Sequence, residues 1–287
     1  NIKIGVILQG AETPFMKEVL KGIQEACAEV DNLGGTVLVH KIEHQNAEDV
    51  IFAMEKMRME EVRGIAMVPL DEERVKREID RFVEEFRIPV VTFTSDVEDT
   101  KRLCFVGQNG VQCGRAAAGL MGELTGGKGK VAVISGYSTN TSLSSRVVGF
   151  REEIARKYPG IEIIGPEYCF EENGRAREIT EGIFKDVPDL DGIYLTSHGE
   201  EGVCEAIAGA GKAGRVKMVA NDFMGRNYEL MREGFIHFLI GQDARIQGYE
   251  PVMILFRLLF NGEAPERAKI FTEIYIRNEY TIPEGRH

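Results

Sequence analysis

With 287 residues, the chain exceeds the usual size of one compact core and is expected to fold as two domains. Hydrophobic residues make up 43% and charged residues 28%, the mix of an ordinary globular protein rather than a disordered or membrane one. No apolar run approaches the roughly 18 residues that span a bilayer, and a formal net charge of −11 speaks against a grip on a phosphate backbone by this chain alone.

Residues 1–8, NIKIGVIL, are too short and wrongly flanked for a secretory signal peptide, and read as a strand that starts abruptly, as though something upstream had been cut away. Strands over 2–8, 36–42, 64–70 and 89–95 alternate with helices near 14–31, 46–60 and 72–86. The first helix keeps Phe15, Val19, Ile23 and Ala26 on one face, at the 3.6-residue period. Short strands separated by helices of this length imply βαβ units and a parallel sheet covered on both faces. After LCFVGQ (103–108) the pattern restarts, with strands over 130–136, 161–169, 192–197, 217–222 and 235–241. Helices near 109–124, 144–157, 174–185, 200–210 and 225–233 lie between them. A last helix near 245–260 and one strand, KIFTEIYIR (269–277), form a tail too short to be a domain. The expected fold class is α/β, two doubly wound parallel-sheet lobes. One lobe comprises 1–106 plus 243–265, the other 107–242 plus 266–287.

The five cysteines, Cys27, Cys104, Cys113, Cys169 and Cys204, form no C-x-x-C pair. An odd count without zinc spacing reads as free, mostly buried thiols in a reducing, cytoplasmic compartment.

In open parallel sheets, ligands bind beyond the carboxyl ends of the strands. The first strand is followed by Gln9, Glu12, Thr13 and Phe15, and the fourth by Thr94, Ser95 and Asp96. The second half offers Tyr137, then Phe170, Ser197 and His198, Asn221 and Asp222, and Gln242. Hydroxyls, amides, isolated carboxylates and single aromatics collect at these ends, while the helix sides carry ordinary surface charge. The distribution describes a cleft lined from both halves.

Each candidate has a second reading. Asp222 either caps the helix near residue 226 or grips a ligand. Arg146, in SSRVVGF, sits in the first turn of a helix, where a cation gains nothing from the dipole, and is either a surface residue or turned to the cleft. Phe15 and Phe170 are either core or stacking platforms, and His198 is either a cap or a ligand residue. GAGKAG (209–214) matches a dinucleotide-binding spacing but follows a helix and precedes a strand, the reverse of the required context. GELTGGK (122–128) matches a phosphate-loop spacing but lacks the hydroxyl residue after the lysine. No metal-ligand set, no cofactor motif and no nucleophile–base pair is read.

TPFMKEVLKGIQEA after the first strand, VVTF before a short polar turn, FVGQNGVQCGRAAAGLM at the crossing, SRVVGFRE, and VKMVANDF together resemble the periplasmic-binding-protein type I fold. More narrowly, they resemble the effector-binding core of Lac-repressor-type transcription regulators and their ribose-binding relatives. The resemblance spans essentially the whole chain. It implies two Rossmann-like lobes joined by three crossings, with a sugar-sized ligand between them. It also implies that Phe15 and Phe170 flank the ligand, Arg146 contacts it, Asp222 grips its hydroxyls and Gln242 lies on the last crossing. One departure stands out: ribose-type binders show an Asp-Arg pair after strand four, where this chain has Thr94, Ser95 and Asp96.

The expected function is the effector domain of a cytoplasmic regulator, without enzymatic activity. It would bind a small sugar or derivative and control DNA binding by lobe closure. It would act as a homodimer on a two-fold operator, through a DNA-binding headpiece upstream of Asn1. The alternative is an extracytoplasmic sugar-binding protein serving a transporter or sensor.

Overall fold

The computed structural model describes residues 2–285. The first helix shows how local chemistry sets the elements. Thr13 accepts a hydrogen bond from the Met16 amide, and Pro14 occupies the first helical position, where a missing N–H costs nothing. The resulting helix α1 (Pro14–Asn32) buries Met16, Val19, Ile23, Ala26 and Val30 on one stripe.

Residues fall into two units. The first comprises the chain up to Gln108, Thr139–Thr141 and Asp243–Glu273. Its strands are β1 (Lys3–Gln9), β2 (Thr36–Ile42), β3 (Gly64–Met67), β4 (Val90–Phe93), β5 (Cys104–Gln108) and β11 (Lys269–Thr272), numbered in chain order. They pair in the order β11-β5-β4-β3-β1-β2, all parallel. Its helices are α1, α2 (Ala47–Met59), α3 (Glu73–Glu84) and α9 (Ala244–Asn261). Helices α1 and α9 pack backbone to backbone. A Cβ on Gly22 would lie 2.0 Å from the Arg245 carbonyl, and one on Gly248 would lie 2.0 Å from that of Val19.

The second unit comprises Asn109–Ser138, Ser142–Gln242 and the chain from Ile274 on. Its strands are β6 (Lys128–Ser135), β7 (Gly160–Tyr168), β8 (Gly192–Leu195), β9 (Lys217–Asn221), β10 (Phe238–Gly241) and β12 (Tyr275–Arg277). The order is β12-β10-β9-β8-β6-β7, parallel except for β12, which runs antiparallel to β10. Helices α4 (Gly110–Thr125), α5 (Thr141–Lys157), α6 (Asn173–Asp186), α7 (Glu200–Gly209) and α8 (Asn227–Arg232) connect them. Asn109 caps α4 by accepting from the Gln112 amide, and Gly126 ends it in the left-handed conformation.

The alternation of short strands and helices is thus realised as two α/β sheets, the first wholly parallel and the second parallel except for β12. KIFTEIYIR differs from its expected single strand. Its first half, β11, pairs with β5 on the first sheet, and its second half, β12, pairs with β10 on the second. The whole stretch carries strand-forming residues, so its change of sheet at Glu273 leaves no mark in the composition.

Candidate ligand site

On the first unit, Glu12 is a surface residue, its side chain 94% exposed and 3.9 Å from Lys17. Thr13 is the α1 cap, and Phe15 beside it is half-buried. Gln9, which ends β1, is buried and donates to the Val68 carbonyl at 2.6 Å. After β4 the chain turns through Thr94, a non-glycine residue at φ +59°. Ser95 is buried and donates to Asn140, which belongs to the same unit. Asp96 has a structural occupation that its sequence neighbours did not reveal. It forms a two-pronged pair with Arg102, with Nη2 2.6 Å from Oδ2, while Thr92 and the Val97 amide each donate to Oδ1 at 2.8 Å. Those bonds fill the carboxylate and brace the turn; the partner, Arg102, lies six positions on and was not singled out from sequence.

On the second unit, the strand ends carry a denser cluster. Arg146 lies in the second turn of α5 rather than the first, is only 3% exposed, and donates through Nη1 to the Thr196 carbonyl at 2.6 Å. Glycine explains its depth: a Cβ on Gly114 of α4 would lie 2.0 Å from the Arg146 carbonyl, and one on Gly149 2.0 Å from that of Val111. The two helices therefore approach closely and carry the guanidinium under the sheet's end. Asp222 sits at φ +73°, its amide bonded to the Ile240 carbonyl at 2.8 Å, and its carboxylate accepts from Gln242 Nε2 at 3.2 Å. Helix α8 starts with Arg226 as its cap residue and has no side-chain cap bond, so Asp222 is not the helix cap. Burial holds the Asp222 carboxyl above the ordinary carboxylate range, opposed by the charge of Arg146 and the Gln242 hydrogen bond.

Phe170 follows β7 at φ +54°, with Glu171 beside it at φ +59°. Two successive non-glycine residues in the left-handed region mark stored strain. The turn leaves the Phe170 ring 45% exposed, tilted against Tyr137 with centroids 5.4 Å apart. His198, after β8, gives Nδ1 to Glu200 at 3.0 Å, and that hydrogen bond holds its imidazole above the usual range despite burial. Within this unit the structure brings Arg146, Asp222 and Gln242 together, sets Tyr137 against Phe170, and links His198 to Asp222 through Glu200 and Asn227. Glu200 and Asn227 were not singled out from sequence. An acidic residue in a first helical turn is ordinary, and only burial sets Glu200 apart.

The chain matches the periplasmic binding protein domain over residues 4–264. It belongs to that family. It is 23% identical over 248 residues to the D-allose-binding periplasmic protein of Escherichia coli (strain K12), an alignment covering 83% of this chain and 78% of that one. A solute-binding protein of an ABC transporter from Agrobacterium vitis, solved with bound D-fucose, superposes with a TM-score of 0.90 at 26% identity, covering 99% of this chain and 97% of that one. The glucose-galactose binding protein GanP from Geobacillus stearothermophilus has the same fold, with a TM-score of 0.90 at 23% identity over 98% of this chain and 99% of that one.

These relatives correct the narrower resemblance. They are sugar-binding proteins, periplasmic or transporter-linked where their names say so, and not Lac-repressor-type regulators or enzymes. The expectation of a regulator's effector domain, cytoplasmic and acting on operator DNA, is overturned, and the homodimer inferred from a two-fold operator loses its basis. The cysteine cue failed for a physical reason. All five thiols are free, and the four buried ones, Cys104, Cys113, Cys169 and Cys204, pack as small apolar side chains, which carry no mark of compartment.

Proposed function

We propose that the chain is an extracytoplasmic solute-binding protein that captures a monosaccharide or close derivative and presents it to a membrane transporter or sensor. It catalyses nothing. One observation carries the reading: a partly buried carboxylate, Asp222, is held above its ordinary pKa range beside a buried arginine and an amide, at the end of a parallel strand. Such a carboxylate is retained at a cost to the ligand-free protein, and a pair of vicinal hydroxyls supplies the donors it lacks. Arg146 supplies donors for ring or exocyclic oxygens, and the open face of Phe170 suits the apolar C–H face of a sugar ring. D-allose and D-fucose, two of the sugars named for the relatives above, have this combination of hydroxyl edges and C–H faces.

A thermal-shift panel of monosaccharides, polyols, nucleosides and amino acids tests the assignment. Stabilisation by one or a few monosaccharides is expected. Stabilisation by amino acids or nucleosides alone would overturn it.

A further inference from the structure

A buried acidic side chain organises the strand ends of the second unit. Glu200, in the first turn of α7, is 4% exposed and accepts from His198 Nδ1 at 3.0 Å, the Gly199 amide at 3.0 Å and Asn227 Nδ2 at 3.1 Å. Asn227 Nδ2 also donates to the carbonyls of Asn221 at 3.2 Å and Asp222 at 3.0 Å. One carboxylate thus ties the turn after β8 to the turn after β9, where Asp222 holds its left-handed conformation.

A carboxylate only accepts, so His198 Nδ1 carries a proton whether the ring is neutral or charged. The variable atom is Nε2, which accepts in the neutral ring and donates in the imidazolium. Among the described residues Nε2 has no hydrogen-bond partner, and a quarter of the side chain is exposed. The charged groups around the ring are mostly acidic: Glu200 and Glu201 on α7, Glu171 after β7 and Asp222 after β9, with Arg146 of α5 as the cation facing Asp222.

Resting on the sugar-binding reading above, we propose that Glu200 is a positioning residue: it orients the His198 ring, fixes the turn that carries Asp222, and makes monosaccharide affinity depend on the charge of His198. The Glu200 hydrogen bond raises the imidazole pKa and burial opposes the rise, so the ring stays charged to higher pH than a free histidine. The sign follows. Nε2–H is a donor at low pH and is lost as pH rises through the elevated value, so affinity for an oxygen-rich ligand falls on the alkaline side.

The test uses the full chain and two readouts. Nitrogen-15 NMR follows the His198 ring against pH in ligand-free wild type and Glu200→Gln. Calorimetry follows D-allose and D-ribose binding at pH 6 and pH 9. The wild-type ring is expected to titrate above the ordinary histidine range and the Glu200→Gln ring at lower pH. Exchanging a charged for a neutral hydrogen bond weakens wild-type affinity about fivefold at pH 9, and His198→Gln removes this alkaline loss. An unmoved ring midpoint in Glu200→Gln, or wild-type affinity equal at both pH values, would overturn the proposal. Should Glu200→Gln not fold, an alkaline loss of wild-type size in His198→Gln overturns it equally. If neither sugar binds at any pH while the ring midpoint shifts as expected, the sugar reading falls and the hold of Glu200 on His198 stands.

Discussion

Replacing Asp222 by asparagine is expected to stabilise the ligand-free protein while weakening its hold on sugar. Asparagine tolerates the left-handed backbone at φ +73°, so the turn is kept. The carboxylate accepts one hydrogen bond, from Gln242 at 3.2 Å, and lies in the field of Arg146, yet burial still lifts its pKa. Desolvation therefore exceeds the attractions, and a neutral isostere returns about 1 kcal/mol, or roughly 2–4 °C in melting temperature. The pH dependence has a definite sign. A carboxyl whose folded pKa is raised contributes most favourably below the unfolded value of about 3.9, and that contribution is lost as pH rises through the folded value. The melting difference between Asp222→Asn and wild type should therefore be small in acid and open towards neutrality. Binding moves the other way: losing a charged acceptor for two hydroxyls costs about 3 kcal/mol, roughly a hundredfold in Kd. Scanning calorimetry from pH 4 to pH 8, with sugar titrations at pH 7, reads both. A variant that melts below wild type and binds sugar normally would make Asp222 a structural residue and not a ligand anchor.

Three other substitutions separate support from recognition. Gly114→Ala places a Cβ 2.0 Å from the Arg146 carbonyl, forces α4 and α5 apart, and should cost about 3 kcal/mol in denaturant unfolding while weakening sugar binding through Arg146. Arg102→Met strands the Asp96 carboxylate, whose side chain is 11% exposed, and should cost about 3 kcal/mol in the same assay, with sugar affinity in the surviving folded protein near wild type. Phe170→Gly relaxes a left-handed backbone and removes a ring that is already 45% exposed, so thermal stability should change by less than about 0.5 kcal/mol while titration shows at least tenfold weaker binding.

The strand-and-helix order was legible because its apolar periods differ, short β-rich runs alternating with stretches such as α1 whose buried residues recur at the helical period. The strand-end rule proposed Asp222 and Phe170, and the small polar loop beside SSRVVGF together with the family resemblance proposed Arg146, without any contact information. What stayed hidden depends on long-range packing. Arg146 looks like a surface cation until Gly114, thirty-two positions earlier, is placed against its carbonyl. Glu200 looks like a first-turn acid until Asn227 meets it. Asp96 looks free until Arg102 folds back on it. The biological setting was the least legible, because buried thiols pack alike in any compartment.

The most direct test of the central claim is a crystal structure of the chain with the monosaccharide that stabilises it most in the thermal-shift panel. Sugar hydroxyls are expected within about 2.5–3.2 Å of the Asp222 carboxylate and of the Arg146 guanidinium, with a C–H face of the ring against Phe170. Sugar density that touches neither Asp222 nor Arg146 would contradict it.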